Sequence, residues 1–430
     1  MSPGAAADVA SPRKRRRLYW LLAAIVLLLA GSAGLRFLLR PEFATGVILD
    51  AAGNALGLEI TASGPAEYDI RGTPRLVLRG IRARQPGAAI DVLQADRLLL
   101  SVPWETLRQR GEALDVDRVE LDAPVLDLAA LQAWLRTRPE TGARRLPNFE
   151  RGLHVSDGTL AGDGWQVGQL SIDLPRFVPG QPLALRLEGR HLGDGLQVPF
   201  RLAVAMSRAA AESGLGISGT LAPQAAEWRL PMRLRLRARA RLRDGGIELQ
   251  PALLGLSARF VGAHENEGTD FALGAHGPAR ISAEGLDWPA LALALRGGGT
   301  VPALDARGHL HFKQELNLAL AGEIADWPAR WPRLPEPLAR SRSPLPFTLA
   351  YRGDAGLDAP LALSLQRDRS RFEGRLRLPD MLDWSRAPLS GSPLPPLDGR
   401  LVSDRLEIGG AVLEGVQLDI DDPGLPEPPP

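Results

Sequence analysis

The sequence contains no cysteine, which excludes a disulfide framework, a thiolate metal site and a cysteine nucleophile. Net charge is almost absent as well: 51 Lys and Arg stand against 50 Asp and Glu, a formal +1 at pH 7. That balance argues against a disordered polyelectrolyte and against a nucleic-acid wrapper. Aromatic residues are only 5% of the chain, too few to supply the interleaved platforms on which bases stack, so no nucleic acid is expected as a partner. The common catalytic motifs are missing: there is no G-x-S-x-G elbow, no P-loop and no H-E-x-x-H helix. Gly214 to Gly219 (GLGISG) formally matches G-x-G-x-x-G, but the TLAPQAAEW that follows has no long amphipathic helix. His309 and His311 flank Leu310 and could chelate a metal, yet no third ligand stands beside them, so a solvated or structural pair is the simpler reading. His264, Glu265 and Glu267 in a polar stretch read the same way. The sequence therefore predicts no enzyme, no metal and no cofactor.

What is present is apolar and heavily punctuated. Hydrophobic residues make up 45% of 430 positions, enough for a sizeable core, while 23% charged residues exclude a polytopic membrane protein. The length suits two to three domains or one repeat-built body. With 46 Gly and 37 Pro the chain favours many short connections over long helices.

One long hydrophobic run exists. A basic cluster, Arg13 to Arg17, precedes Leu18 to Leu35, which carries no charge. At ~1.5 Å per residue that run covers ~27 Å, close to the hydrocarbon thickness of a bilayer. Leu18, Tyr19, Trp20, Leu28 and Leu35 are the expected membrane-anchor residues, with the two aromatics at the interface. More cations precede the run than follow it at Arg36 and Arg40, which predicts a cytoplasmic N-terminus and an extracytoplasmic body. A cleaved signal peptide is the competing reading; the run exceeds a usual h-region, and no clean A-x-A site follows. Residues 1–40 hold seven basic and one acidic residue, which leaves 51 − 7 = 44 against 50 − 1 = 49 for residues 41–430, a mildly acidic body. After the run, Pro41, Phe43, Val47, Ile48, Ala51, Ala52 and Ala55 recur at helical spacing, and Gly57 can end that helix.

From Leu58 onward the dominant period is two. Leu76 and Leu78, Leu98 to Val102, Leu170 to Leu174, Leu183 to Leu187, Val198 to Val204, Leu361 to Leu365, and Leu406 with Ile408 alternate with polar residues and end at Gly, Pro or Asp-Gly punctuation. Half-buried antiparallel strands are expected there. The longest run is Trp228 to Leu242, with Arg229, Arg233, Arg235, Arg237, Arg239, Arg241 and Arg243 on its other face. Such a face could hold lipid phosphates or an anionic polymer; the simpler expectation pairs it with acids on neighbouring strands. One clear helix interrupts the strands, at Leu128 to Arg136, and a shorter one is expected at Trp104 to Arg110. Three Asp-Trp steps, at Asp287-Trp288-Pro289, Asp326-Trp327-Pro328 and Asp383-Trp384-Ser385, look like degenerate repeats. Each is expected to start a short helix with the Trp folded back on the sheet. Trp331 to Pro346 and Pro388 to Pro396 read as surface connections.

The stretch GLEITASGPAEYDIRGTPRLVLRGIRA, followed by ADRLLLSVPWETLRQRGEALDVDRVELDAPVLDL, carries a family likeness. Its elements are an early strand leading to Gly64, Pro74-x-Leu76 giving a Gly80-Ile81 step, Ala95-Asp96 opening Leu98 to Leu100, and Val119-x-Leu121-Asp122-x-Pro124-x-Leu126 before a helix. With the preceding anchor this resembles the AsmA-like family of bacterial inner-membrane-anchored periplasmic proteins, over about residues 18–140; LEIGGAVLEGVQLDI near the C-terminus is similar to that family's terminal strands. The resemblance rests on scaffold motifs and carries no catalytic residues.

The resulting expectation is a mainly β protein: an N-terminal transmembrane helix, then an elongated, curved, mostly antiparallel sheet body, a groove or half-open sandwich, with a few short helices. Residues 1–17 form a cytoplasmic basic tail, 18–39 the transmembrane helix, 40–140 the AsmA-like β-segment, 141–422 a β-rich periplasmic body with degenerate repeats, and 423–430 a disordered tail. The resemblance implies a single-pass bacterial inner-membrane protein of outer-membrane biogenesis that binds or conveys phospholipid along an apolar groove. The alternative is an assembly or regulatory factor for outer-membrane proteins with a closed core and no lipid transport. Expected partners are the inner membrane, a phospholipid or other envelope lipid, and envelope assembly proteins. Candidates to face lipid are Val198, Phe200, Leu202, Val204, Leu230, Met232, Leu234 and Leu236.

Overall fold

The computed structural model describes residues 49–50, 53–54, 56–64, 66–69, 72–104, 115–137, 148–193, 195–243, 246–262, 268–282, 284–299, 301–328, 343–354, 356–386, 395–408 and 411–425, with the single residues 331, 334, 339 and 341. The expected membrane span, with its anchor residues Leu18, Tyr19, Trp20, Leu28 and Leu35, lies outside them; so do most of the expected helix at Trp104 to Arg110, His264, Glu265, Glu267 and all of 426–430. Among the described residues no helix is long and apolar enough to cross a membrane. Strands dominate, and the chain divides into two compact units: Met1–Arg145 with Val155–Gly162, and Leu146–His154 with Asp163–Pro430.

The first unit is built on β3 (Arg75–Arg84). Antiparallel to it run β1 (Glu59–Thr61), β2 (Glu67–Asp69) and β4 (Asp91–Ser101). Beyond the two-residue β5 (Asp115–Val116), β6 (Arg118–Asp122) and β7 (Val125–Asp127) extend β4, and β7 pairs in parallel with the chain at Val125↔Thr159. Leu49, Ala66, Leu78 and Ile81 bury one side of the sheet. Helix α1 (Leu128–Thr137) starts at Asp127, whose carboxylate accepts from the Ala130 N–H at 2.8 Å, an N-cap bond. Its Ala130, Leu131 and Trp134 pack on Leu58, Ala83 and Val92, and the Trp134 indole donates to the Leu56 carbonyl at 2.9 Å. Leu49, Asp50, Gly53, Asn54 and Leu56 are helical, and Gly57 follows with φ 60. Gly80, at φ 56, lets the backbone pass Ser63 where a Cβ would lie 2.1 Å from the hydroxyl oxygen. On the polar side Arg97 bonds both Glu120 at 3.2 Å and Asp122 at 3.0 Å.

The second unit begins with the two-residue β8 (Asn148–Phe149); β9 (Leu153–Ala161) crosses the boundary, its residues from Val155 belonging to the first unit. A long antiparallel meander follows: β10 (Trp165–Leu174), β11 (Leu183–Gly193), β12 (Leu196–Met206), β13 (Glu212–Leu221), β14 (Trp228–Arg229), β15 (Met232–Arg243), β16 (Gly246–Gly262), β17 (Thr269–Ser282), β18 (Gly285–Gly297), β19 (Ala303–Phe312), β20 (Leu316–Asp326), β21 (Leu345–Gly353), β22 (Leu361–Arg367), β23 (Ser370–Leu376), β24 (Leu397–Ile408) and β25 (Ala411–Ile420). Except at β14, each strand pairs with the next; β14 pairs with β16. The short α2 (Leu378–Arg386) connects β23 to β24 and packs Leu378 and Met381 on Tyr351, Leu361, Leu376 and Leu397.

Two expectations need correction. Trp228 to Leu242 is not one strand: Pro231 has no N–H to give the ladder, so the run breaks into β14 and β15 with Leu230 outside both. Asp287-Trp288-Pro289 starts no helix but lies inside β18, and Asp383-Trp384 lies within α2 rather than at its start. The physical reason at β18 is a bulge. Register shifts fall at Leu249/Ala252 on β16 and at Trp288/Leu291 on β18, each inserting one extra residue relative to both neighbours, and at His276/Arg280 on β17. Pro251, Pro278 and Pro289 occupy these interruptions on three successive strands, where no ladder donor is required. The sheet's best-buried cluster gathers there: Ala240, Leu249, Ala252, Ala275, Ala279, Trp288 and Leu291. Trp327 does fold back, packing with Ala306, Ile324, Leu345 and Phe347 and meeting Trp331 edge-on at 4.9 Å.

Trp288 is 7% exposed at the centre of that cluster, so Trp288→Ala should lower the unfolding free energy by about 3–5 kcal/mol, read by denaturant melts. In the first unit the Ser156 hydroxyl and the Arg97 guanidinium hold the Asp122 carboxyl below its ordinary value. A depressed carboxyl adds stability above the usual carboxylate range and loses it as pH falls through the folded value. Acid melts should therefore show Asp122→Asn less stable than the parent at neutral pH, with the difference shrinking below pH about 4.

Candidate functional site

Antiparallel pairing sets side chains of equal parity directly opposite one another, so residues that alternate along each strand line up across the sheet. In the second unit this alignment produces an apolar row. Ile172, Leu187, Leu202, Gly219, Leu234, Leu256, Leu273, Leu295, Leu304, Ile324 and Leu345 are successive partners from β10 to β21. A second row on the same face runs through Leu185, Val204, Ile217, Leu236, Leu254, Ala275 and Leu293 to Ala306. A third passes through Phe200, Leu221, Met232, Ala258 and Phe271.

The rows are not sealed. Every side chain of the first row from Ile172 to Leu304 is half-buried, and only Ile324 and Leu345, beside Trp327 and Phe347, are buried. A second sheet laid over the face would have buried the whole row. Gly219 interrupts it between Leu202 and Leu234. A Cβ there would sit 2.1 Å from the Arg201 carbonyl oxygen, so the position carries no side chain and the floor dips at β13.

Most of the lipid-facing candidates are brought together. Phe200, Leu202 and Val204 on β12 and Met232, Leu234 and Leu236 on β15 share this face, with β13 between them. Val198 is on the same face but pairs with His191, beyond the reach of β13. Leu230 is not in the rows; it sits in the break before Pro231, its N–H donating to the Pro223 carbonyl at 2.8 Å. Leu256, Leu273, Leu295 and Leu304 were not singled out from sequence, although they continue the same row. Their strands mix Gly, Ala and Pro with the leucines, and the bulges shift parity, so membership becomes visible only through the register.

The opposite face is polar, and its arginines divide into two kinds. Several meet an acid: Arg201 with Glu188 at 2.7 Å, Arg241 with Glu212 at 3.1 Å, Arg296 with Asp305 at 2.8 Å, Arg375 with Asp398 at 2.8 Å, Arg400 with Asp419 at 2.6 Å. Arg201 and Asp419 show the electrostatic consequence: the Glu188 carboxylate raises the guanidinium's pKa, and the Arg400 guanidinium lowers that of the carboxyl. Acid pairing was the simpler expectation for the β15 arginines too, but there it holds only at Arg241; among the described residues Arg233, Arg235, Arg237 and Arg239 have no ion pair. They lie opposite Thr220, Ser218, Gly216 and Gly214 on β13, which offer no carboxylate.

The remaining sequence candidates assemble nothing. GLGISG is the middle of β13, paired on both sides. His309 and His311 have ring centroids 5.2 Å apart, and His311 Nδ1 lies 2.5 Å from an Asp287 oxygen. Among the described residues no group of three His, Cys, Asp or Glu could hold a metal ion. A hollow of about 1000 Å³ on the polar face between β19 and β25 is lined by Arg307, Thr348, Ser364 and Ala362 with the paired charges of Arg375, Asp398, Arg400 and Asp419.

No family model matches the chain, and neither does a curated protein or a solved structure.

Because nothing but hydrogen fits at Gly219, Gly219→Ala should destabilise the protein by about 1–3 kcal/mol, visible as a lowered denaturation midpoint.

Proposed function

We propose that this is a membrane-anchored, non-catalytic periplasmic protein of outer-membrane biogenesis that binds or conveys phospholipid acyl chains along the apolar face of its second unit. One observation carries the reading: a register-continuous apolar row from β10 to β21 whose leucines stay only half-buried instead of closing into a dry core. Contiguous apolar surface left open to water is costly and marks a binding surface. Ten inter-strand steps of ~4.8 Å give the row a contour of ~48 Å, longer than the ~30 Å hydrocarbon layer of a bilayer and so able to hold more than one acyl chain end to end. Aliphatic rows without a convergent polar group suit acyl chains better than a compact polar ligand. The charge-free run Leu18 to Leu35 behind a basic cluster, and the likeness of residues 18–140 to the AsmA-like family, support the inner membrane as its seat. The reading as an assembly factor with a closed core is not favoured by half-buried rows.

The test uses the full chain purified in mild detergent. Extracted lipid, read by mass spectrometry, should include phospholipid, and a delipidated sample should take up labelled phospholipid from vesicles. Leu234→Glu places a charge in the middle of the first row and should reduce uptake at least about tenfold, more than 1.4 kcal/mol of binding. Its circular-dichroism melt should stay cooperative, because residue 234 is only half-buried. Absence of phospholipid from the parent protein, or undiminished uptake by the folded variant, would refute the proposal.

A further inference from the structure

Arg233, Arg235, Arg237 and Arg239 stand in one line on β15, on the face opposite the apolar rows. Their spacing is two residues, ~6.8 Å, so the four guanidinium stems span ~20 Å along the strand. All four are exposed. Arg201, Arg241, Arg296 and Arg400 on this face meet cross-strand acids, whereas these four face Thr220, Ser218, Gly216 and Gly214 on one side, and Arg233, Arg235 and Arg237 face Ser257, Gly255 and Leu253 on the other. Like charges at this spacing repel, and no carboxylate stands directly opposite them on β13 or β16. The small flanking residues leave hollows beside the line. One of about 520 Å³ is lined by Ala203, Ala205, Gly216, Ser218, Arg235 and Arg237; one of about 790 Å³ includes Arg233, Thr220 and Ser257, with Asp270 at its margin paired to Arg259 at 3.9 Å. Asp173, at the margin of the first, is already engaged by His154 at 3.0 Å and Arg186 at 3.8 Å.

We propose that Arg233, Arg235, Arg237 and Arg239 form a docking ladder for a linear polyanion, a chain of phosphates or carboxylates laid along β15. Guanidinium forks bind both groups bidentately. A single file of cations with hollows on both sides fits a thread better than a flat bilayer, which would be met by charges spread over an area. No aromatic residue stands opposite the four arginines, so the ladder reads charge and not bases. The mildly acidic remainder of residues 41–430 repels such a chain elsewhere and confines it to this line.

The experiment uses the full chain in neutral detergent, with fluorescent linear polyphosphate and poly-L-glutamate as probes and anisotropy as readout. At least one polymer should bind, with log K falling against log salt with a slope of about −3, as four neutralised charges require. Arg233→Gln/Arg235→Gln/Arg237→Gln/Arg239→Gln should weaken binding at least tenfold and flatten that slope. Arg352→Gln, which removes an arginine paired with Glu315, should change neither. The single variants Arg235→Gln and Arg237→Gln should each lose severalfold, which keeps the test decisive if the quadruple variant is unstable. The polymer that binds identifies phosphate or carboxylate as the ligand. The proposal fails if neither polymer binds, or if the folded variants bind as the parent does. It also fails if removing the arginines lowers binding to phosphatidylglycerol vesicles but not to either polymer, which would make the ladder a membrane-surface contact. Phospholipid uptake on the apolar face is read separately and should be unaffected.

Discussion

Register is the constraint on which the second unit depends. Each β-strand offers its side chains alternately to two faces, and a slip of one residue would exchange the faces entirely. Because Leu202 opposes Leu187, Leu234 opposes Leu256 and Leu295 opposes Leu304, the leucines of separate strands become one surface. The same pairing sets the arginines of β15 against Thr220, Ser218, Gly216 and Gly214 and so denies them carboxylates. Apolar rows and cationic ladder are thus two outcomes of a single alignment, one on each side of a sheet only one residue thick.

The bulges are what make that alignment compatible with burial. A flat sheet exposed on both sides would have little core. Where β16 and β18 each take an extra residue, the strands bend, and Trp288, Leu249, Leu291 and Ala252 come together. Proline marks the bend on three strands, and its missing N–H makes the interruption almost free of hydrogen-bond cost at those positions. Burial is concentrated there and near Phe347 and Tyr351, while the surface over β11 to β15 stays half-open.

Much of this was legible in the sequence, and the rest was hidden for identifiable reasons. Period-two alternation located strands such as those at Leu98 to Val102, Leu183 to Leu187 and Val198 to Val204, and the pattern LAALQAWLR located α1. Pro231 alone was sufficient to split the Trp228 to Leu242 run. Asp287-Trp288-Pro289 misled because Asp followed by Pro is a helix-start signal locally, whereas proline at a bulge is a property of the neighbouring strands. The rows gained Leu256, Leu273 and Leu295 only through pairing, since no sequence rule tells which leucine of one strand meets which of another. The arginine run was visible at once; what was not visible was that its partners would be glycine, serine and threonine.

The chain order of the meander has a consequence for how such a protein can change. Apart from β14, each strand from β10 to β25 pairs with its sequence neighbours, so contacts are local and the pairing energy is close to a sum over adjacent strands. Inserting or deleting one hairpin would move the sheet's span by about two strand widths, ~10 Å, and leave every other pairing intact. Reach is therefore the property most easily altered by duplication or loss, while the chemistry of each face is inherited unchanged by whatever strands remain.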